Sequence, residues 1–287
     1  MTRFIRSKGM AMITNVIPGW RLTLGITLTY VSLFLLIPLA AFMLFASGMG
    51  IEKFLAAVTS WRNVHAYGVS FFCALAAALV NAVFGLILAW VLVRYDFRGR
   101  KIMDGLIDLP FALPTAVAGI ALTTLYAQNG LLGEILYSVG IESAFSPLGI
   151  TIALIFVGIP FVARSVQPVL KELDPQLEEA ANLFGAGNWT IFGKIIFPEL
   201  VPPLLTGFAL AFARGIGEYG SVVFIAGNMP YETEIAPLMI MTKLEQFDYQ
   251  SAAAIAIVMM ILSLAILLGI HGWQSHLLKR IGGVGNA

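Results

Sequence analysis

Five stretches of this chain run for 18 to 24 residues without a single Asp, Glu, Lys or Arg: Leu22–Phe45, Ser70–Val93, Leu109–Tyr126, Ala144–Ala163 and Ala252–Ile270. A helix crosses about 30 Å of hydrocarbon with roughly 20 residues, and only a helix or a closed barrel satisfies its own backbone there. These runs are continuous apolar blocks, not the alternating segments a barrel needs. A sixth run, Val201–Ala226, is long enough but carries Arg214 and Glu218. The sequence thus predicts an all-α integral membrane protein with six transmembrane helices. Composition agrees: dropping Tyr and adding Gly to the hydrophobic set makes roughly two-thirds of the chain apolar, against about half in soluble domains. Soluble enzymes, disordered chains and nucleic-acid binders are excluded. The single Cys73 excludes a disulfide framework and any CxxC motif.

Orientation follows from Lys and Arg, which stay preferentially cytoplasmic. One set of loops holds Arg3, Arg6, Lys8, Arg21, Arg94, Arg98, Arg100, Lys101, Arg164, Lys171, Lys194, Lys279 and Arg280; the other holds Lys53, Arg62 and Lys243. Thirteen against three puts both termini in the cytoplasm. The expected organisation is a cytoplasmic tail over 1–21, a single membrane domain over 22–280 and a short tail over 281–287. The first run is about twice the length of a 7–15-residue signal h-region, so it reads as a retained anchor.

The longest cytoplasmic connection, about residues 171–199, is rich in structure signals. Asp174 followed by Pro175 is a helix start, an acceptor at the N-cap and a proline where a missing N–H costs nothing. Glu178 and Glu179 suit the positive end of the helix dipole. Leu173, Leu177, Ala180, Ala181 and Phe184 fall near one face, and Gly185 and Gly187 end the helix. A second amphipathic run with Trp189, Phe192, Ile195 and Ile196 is expected to stop at Pro198. An interfacial anchor carries Lys and Arg on its polar face; the acidic first helix instead suits a protein partner.

Glu179-Ala180-Ala181, three residues, Gly185, nine residues, then Ile195-Ile196-Phe197-Pro198 resembles the EAA loop of ABC importer permeases. The family pattern has Leu where Phe197 stands. Asp108-Leu-Pro-Phe-Ala-Leu-Pro-Thr-Ala-Val-Ala-Gly119, Arg214-Gly-Ile-Gly-Glu-Tyr-Gly220 and Ala226-Gly-Asn-Met-Pro230 are similar to the sulfate/thiosulfate branch of that family, over about residues 20 to 280. The molybdate permeases share the Arg-x-x-Gly-Glu portion, so the same machine for molybdate or tungstate is the competing reading. The resemblance implies a type I ABC importer transmembrane domain in a bacterial inner membrane. It implies as partners a paralogous second permease forming a heterodimer, two copies of a cytoplasmic ABC ATPase, and a periplasmic sulfate/thiosulfate-binding protein. Glu178, Glu179, Ala180, Ala181, Gly185, Ile195 and Pro198 would form the ATPase-coupling loop, with Glu179 meeting a basic group on the ATPase.

ATP and Mg are expected on that partner. The nearest approach to a P-loop here, Gly187 to Gly193-Lys194, has five intervening residues and Ile195 where a hydroxyl is needed. No catalytic residue, bound cofactor or metal is expected on this chain; His65, His271 and His276 lack ligand spacing. An intramembrane serine protease built on Ser47 and His271 would need them within hydrogen-bond reach, yet they fall at opposite membrane faces. Arg214 and Glu218 lie four apart inside a span, where ionisable groups cost at least about 2.5–3.5 kcal/mol each and so find partners. They read either as a structural pair or as part of an anion pathway, guanidinium geometry suiting oxyanions. Gly215, Gly217 and Gly220 read as helix-packing positions, and Pro110, Pro114 and Pro160 as kinks.

Overall fold

A computed structural model describes residues 20–282, and it is all-helical among them. The tails expected over 1–21 and 281–287 lie almost wholly outside the described residues. In chain order the helices are α1 Trp20–Val31, α2 Ile37–Ser47, α3 Ile51–Thr59, α4 Trp61–Arg94, α5 Arg100–Ile107, α6 Leu109–Ala112, α7 Thr115–Tyr126 and α8 Leu131–Ser138. They continue as α9 Pro147–Glu172, α10 Pro175–Leu183, α11 Asn188–Ile191, α12 Phe197–Ile216, α13 Val222–Ile225, α14 Ala236–Glu245 and α15 Tyr249–Gly282. π-turns at Ser32–Leu36 and Phe192–Ile196 join α1 to α2 and α11 to α12.

The chain divides into two units, one ending at Gly48 and the other beginning at Met49. In the first, Leu22–Ser47 is a continuous apolar helix of 26 residues with its large side chains exposed, Leu22, Phe34 and Leu44 among them. In the second, α4, α9 and α12 pack on one another to form the core, with α15 against α12, α14 and α3.

The reason these helices close is visible on α4. Most of its buried residues are small, Ser70, Cys73, Ala74, Ala77, Ala78, Gly85 and Ala89 among them. Its large residues Phe72, Leu79, Val83, Phe84 and Ile87 point outward. Lipid is as apolar as leucine, so helices in a membrane associate through close backbone approach, which small residues permit. A Cβ on Gly207 of α12 would lie 2.6 Å from the Val162 Cα of α9, and one on Gly85 would lie 2.7 Å from Val162 Cβ. Val162 is thus the point where the three helices meet.

Two of the six apolar runs are organised differently from the sequence reading. Among the described residues five helices are long and apolar enough to cross a membrane: Leu22–Ser47, Trp61–Arg94, Pro147–Glu172, Asn188–Ile216 and Tyr249–Gln274. Leu109–Tyr126, read as one span, is instead α6 and α7 separated at Leu113-Pro114. Proline forces its predecessor out of the helical region, and Leu113 is extended at φ −86°, ψ 136°. Helix α7 alone rises about 18 Å, short of a full bilayer. Val201–Ala226 also differs: the helical path begins at Asn188, stops at Ile216 and resumes only as the short α13. Pro160, expected to interrupt its span, lies with Pro168 inside an unbroken α9. One lost N–H leaves the other helix bonds intact, and α4 and α12 hold the helix from both sides.

The segment 226–235 is exposed from Gly227 to Glu232 and buried again at Thr233–Ile235, beside the start of α4. Gly227 (φ +74°) and Asn228 (φ +50°) turn the chain in the left-handed region, which glycine and asparagine tolerate. Arg62 then grips Glu234 bidentately, Nε to Oε2 at 2.7 Å and Nη2 to Oε1 at 2.8 Å. The Ala236 N–H donates to Ser70 Oγ at 2.8 Å. Glu234 is 1% exposed, so removing its partner strands a buried carboxylate. Arg62→Ala is expected to lower stability by about 3 kcal/mol, the low end for a broken buried pair because Arg62 is itself partly in water. Thermal unfolding in detergent measures it; an unchanged midpoint would mean the pair contributes nothing.

Candidate coupling loop and span junction

The loop after α9 folds as its sequence dictates. Asp174 Oδ1 accepts the Gln176 N–H at 2.9 Å, with Pro175 at the first helical position. At the other end Gly185 takes φ +80°. Its N–H bonds to Asn182 O at 2.9 Å and the Ala186 N–H to Ala181 O at 3.0 Å. Those two bonds are the Schellman closure, which needs the left-handed residue that glycine supplies. Gly187 is not a helix terminator like Gly185 but the N-cap of α11, at φ −73°.

The second half of the loop departs from expectation. Pro198 does not stop a separate short helix; α11, the π-turn and α12 run on continuously into the span. The π-turn hands the Phe197 N–H to Phe192 O, five residues back. Pro198 therefore enters as at a fresh first turn, where its absent N–H costs nothing. Ile196 is buried, while Ile195 and Ala181 pack at the edge of the core.

The two adjacent glutamates face different ways. Glu178 Oε1 accepts from Arg94 Nη2 at 2.5 Å, and the Arg94 guanidinium lies 5.3 Å above the Trp90 ring. This ties α10 to the end of α4. Glu179 is exposed, as are Ala180, Leu183 (89%) and Phe184 (92%). The predicted apolar face of the loop helix is thus divided: Leu173 and Ala181 touch the core, and Leu177 and Phe184 point to solvent.

Arg214 and Glu218 are brought together, Nη1 to Oε2 at 2.5 Å. They do so across the end of a helix, not along one, since α12 stops at Ile216. The other carboxylate oxygen, Oε1, accepts both the N–H and the hydroxyl of Ser221 at 2.9 Å. Glu218 is 1% exposed, whereas the Arg214 side chain is 40% exposed. The start of α7 is locked on this break. A Cβ on Gly119 would sit 2.5 Å from Ser221 O, and one on Gly220 would collide with Thr115 Oγ1. Gly215 likewise packs on Ala74 at 3.3 Å, but Gly217 meets nothing within 4 Å. The packing role expected of the three glycines holds for two; Gly217 serves as the helix C-cap.

A third cluster was not anticipated from the sequence, which treated Arg164 only as an inside charge. All its N–H groups are used. Nε donates to Asp108 Oδ1 at 2.9 Å. Nη1 donates to Asp104 Oδ1 and to Gln167 Oε1, both at 2.6 Å. Nη2 donates to Asp108 Oδ2 at 2.6 Å and to the Asp104 carbonyl at 2.8 Å. Hydrogen bonding from Arg164 holds the Asp104 carboxyl below the usual aspartate range, against an opposing push from burial. Asp108 opens the Leu-Pro-Phe-Ala-Leu-Pro stretch, and that motif was the available signal. Among the described residues no group of His, Cys, Asp and Glu could hold a metal ion.

A small-residue helix core, two apolar runs broken where they meet and a capped helix in the loop after α9 together fit the transmembrane domain of a type I ABC importer. The chain belongs to the family of binding-protein-dependent transport system inner membrane components, whose model matches residues 81–283. It is 47% identical over 269 residues to the sulfate transport system permease protein CysT of Escherichia coli (strain K12), covering 94% of this chain and 97% of that one. It is 48% identical over 246 residues to the CysT of Synechocystis sp., covering 86% of each chain. The fold is shared with a bacterial ABC transporter involved in import of the acidic polysaccharide alginate, at a TM-score of 0.74 and 17% identity over 90% of this chain and 96% of that one. The MetNI methionine ABC transporter in an inward-facing conformation matches at a TM-score of 0.60 and 16% identity, over 76% and 96%. As a member of this family the chain is an inner-membrane translocation subunit that works within a larger importer.

Proposed function

We propose that this chain is one half of the membrane pore of an ATP-driven sulfate/thiosulfate importer. The observation that carries the substrate is the 47% identity, over nearly the whole of both chains, to a permease named for sulfate. Relatives from two bacteria carry the sulfate name at 47–48% identity, which favours sulfate over the molybdate reading. Both termini lie in the cytoplasm of a bacterial cell, and the single membrane domain pairs with a paralogous permease. A periplasmic protein delivers the dianion. Two cytoplasmic ABC ATPases, carrying ATP and Mg, receive the loop 171–199.

The loop's form supports this division of labour. Arg94–Glu178 and Ala181 fasten one side of α10 to the chain's own core, leaving Glu179, Leu183 and Phe184 as a small acidic and apolar surface. Closure of the ATPase pair displaces that helix, and a bundle with two packings converts the displacement into inward- and outward-facing states. Arg214, held by Glu218 on one edge and open on the other, presents donors that suit an oxyanion passing the break in α12.

Uptake of labelled sulfate in cells lacking this chain, and in cells given it back, tests the proposal. Restored uptake that excess thiosulfate blocks is the expected result. Restored molybdate uptake with unchanged sulfate uptake would keep the machine and overturn the substrate. Normal sulfate uptake by an Arg214→Leu variant would leave that arginine a structural brace.

A further inference from the structure

The Arg164 cluster joins two parts of the molecule that the coupling loop must move together. Arg164 lies on α9, eight residues before the helix ends at Glu172, and Leu173 and Asp174 alone separate that end from α10. Its two carboxylate partners lie on α5 and at the α5–α6 junction. From Asp108 the chain runs through the four-residue α6 and the Leu113-Pro114 break to Thr115, which packs on Gly220. Four residues further, Gly119 rests on Ser221, whose N–H and hydroxyl hold Glu218. A continuous set of contacts therefore leads from the base of the coupling loop to the broken span beside Arg214.

We infer that Arg164 is a positioning residue for coupling: it makes the α5–α6 elbow travel with α9, so that motion of the loop reaches the junction of α7 with the break in α12. The inference rests on the importer reading above. The chemistry of the node favours this role over a plain attachment. Five donors of a planar guanidinium reach three side chains and one backbone carbonyl at 2.6–2.9 Å, which fixes orientation as well as distance. The elbow's other ties are apolar: Ile107 is buried with Leu92 and Ala163, and the Phe111 ring meets Phe161 edge-on at 5.3 Å. Helix α5 meets α9 and α6 alone among its closer neighbours, and Ile102 and Leu106 on it are exposed. Without Arg164 the elbow is held to α9 by apolar contacts, which fix distance but not orientation.

The test uses the assembled importer in proteoliposomes, supplied with its binding protein and sulfate, and reads sulfate imported per ATP hydrolysed at equal amounts of complex. Arg164→Lys keeps the charge but replaces the planar fork with a point charge. Asp108→Asn keeps the shape of a half-exposed side chain and weakens two of the five bonds, so it covers the case in which the lysine variant fails to assemble. Both are expected to lower the ratio by about tenfold, within the range of site-to-site coupling energies. A fall in the amount of complex with an unchanged ratio would reduce the cluster to a structural brace and overturn the inference. A wild-type complex that imports no sulfate would instead overturn the importer reading itself, whatever the variants do.

Discussion

Replacing Glu179 with arginine is expected to abolish ATP-driven sulfate uptake while leaving the chain in the membrane at its normal level. The two halves of that expectation have separate physical grounds. Glu179 stands exposed on α10 next to the apolar Leu183 and Phe184, so changing it disturbs no buried contact of the chain. At a docked surface, setting a cation against a cation costs several kcal/mol, enough for a loss of about 100-fold or more. Membrane-fraction blots, co-purification of the ATPase and uptake together measure it. Normal uptake by the variant would remove Glu179 from the coupling surface. Glu178→Arg gives a different failure, because it drives a cation onto Arg94, 2.5 Å from the present carboxylate, and so loosens α10 from α4.

Gly207→Val is expected to prevent stable folding, with a cost of at least about 3 kcal/mol, beyond ordinary overpacking because backbone is struck. The added Cβ would lie 2.6 Å from Val162 Cα and 3.0 Å from Phe161 O. Neither is the end of a flexible side chain, so α9 and α12 must separate at this contact. Gly68→Ala is the matched control. Nothing lies within 4 Å of its added methyl, and alanine in a helix interior is favoured over glycine by about 0.5–1 kcal/mol. Size-exclusion profiles and thermal unfolding in detergent distinguish them; a Gly207→Val protein as monodisperse and stable as Gly68→Ala would contradict the close approach of these helices.

Much of the coupling loop was legible because its signals are local. An N-cap carboxylate bonds two residues ahead, and a Schellman glycine closes a turn over five; each is decided within one helical turn. The same reading overran at Pro198, where the π-turn before it supplied a first-turn environment that residue types alone do not announce. It also joined Leu109–Tyr126 and Val201–Ala226 into whole spans. Hydropathy counts apolar residues and is blind to the backbone break that Pro114 imposes on Leu113 and to the capping of α12 at Gly217.

Transfer from water to lipid is a property of each side chain by itself, so the sequence alone determined that this chain enters a membrane and roughly where its helices run. Pairing is a property of two places at once. Arg94 finds Glu178 across 84 residues, Arg164 finds Asp108 across 56, and Arg62 finds Glu234 across 172. In each case an ordinary charged residue gained its meaning only when small side chains on α4, α9 and α12 let those helices close. Which glutamate holds the loop and which is offered outward, and how the loop is tied to the broken spans, were therefore decided by the tertiary structure. Ion pairs need both partners within a few ångströms, and only the packed helices bring them there.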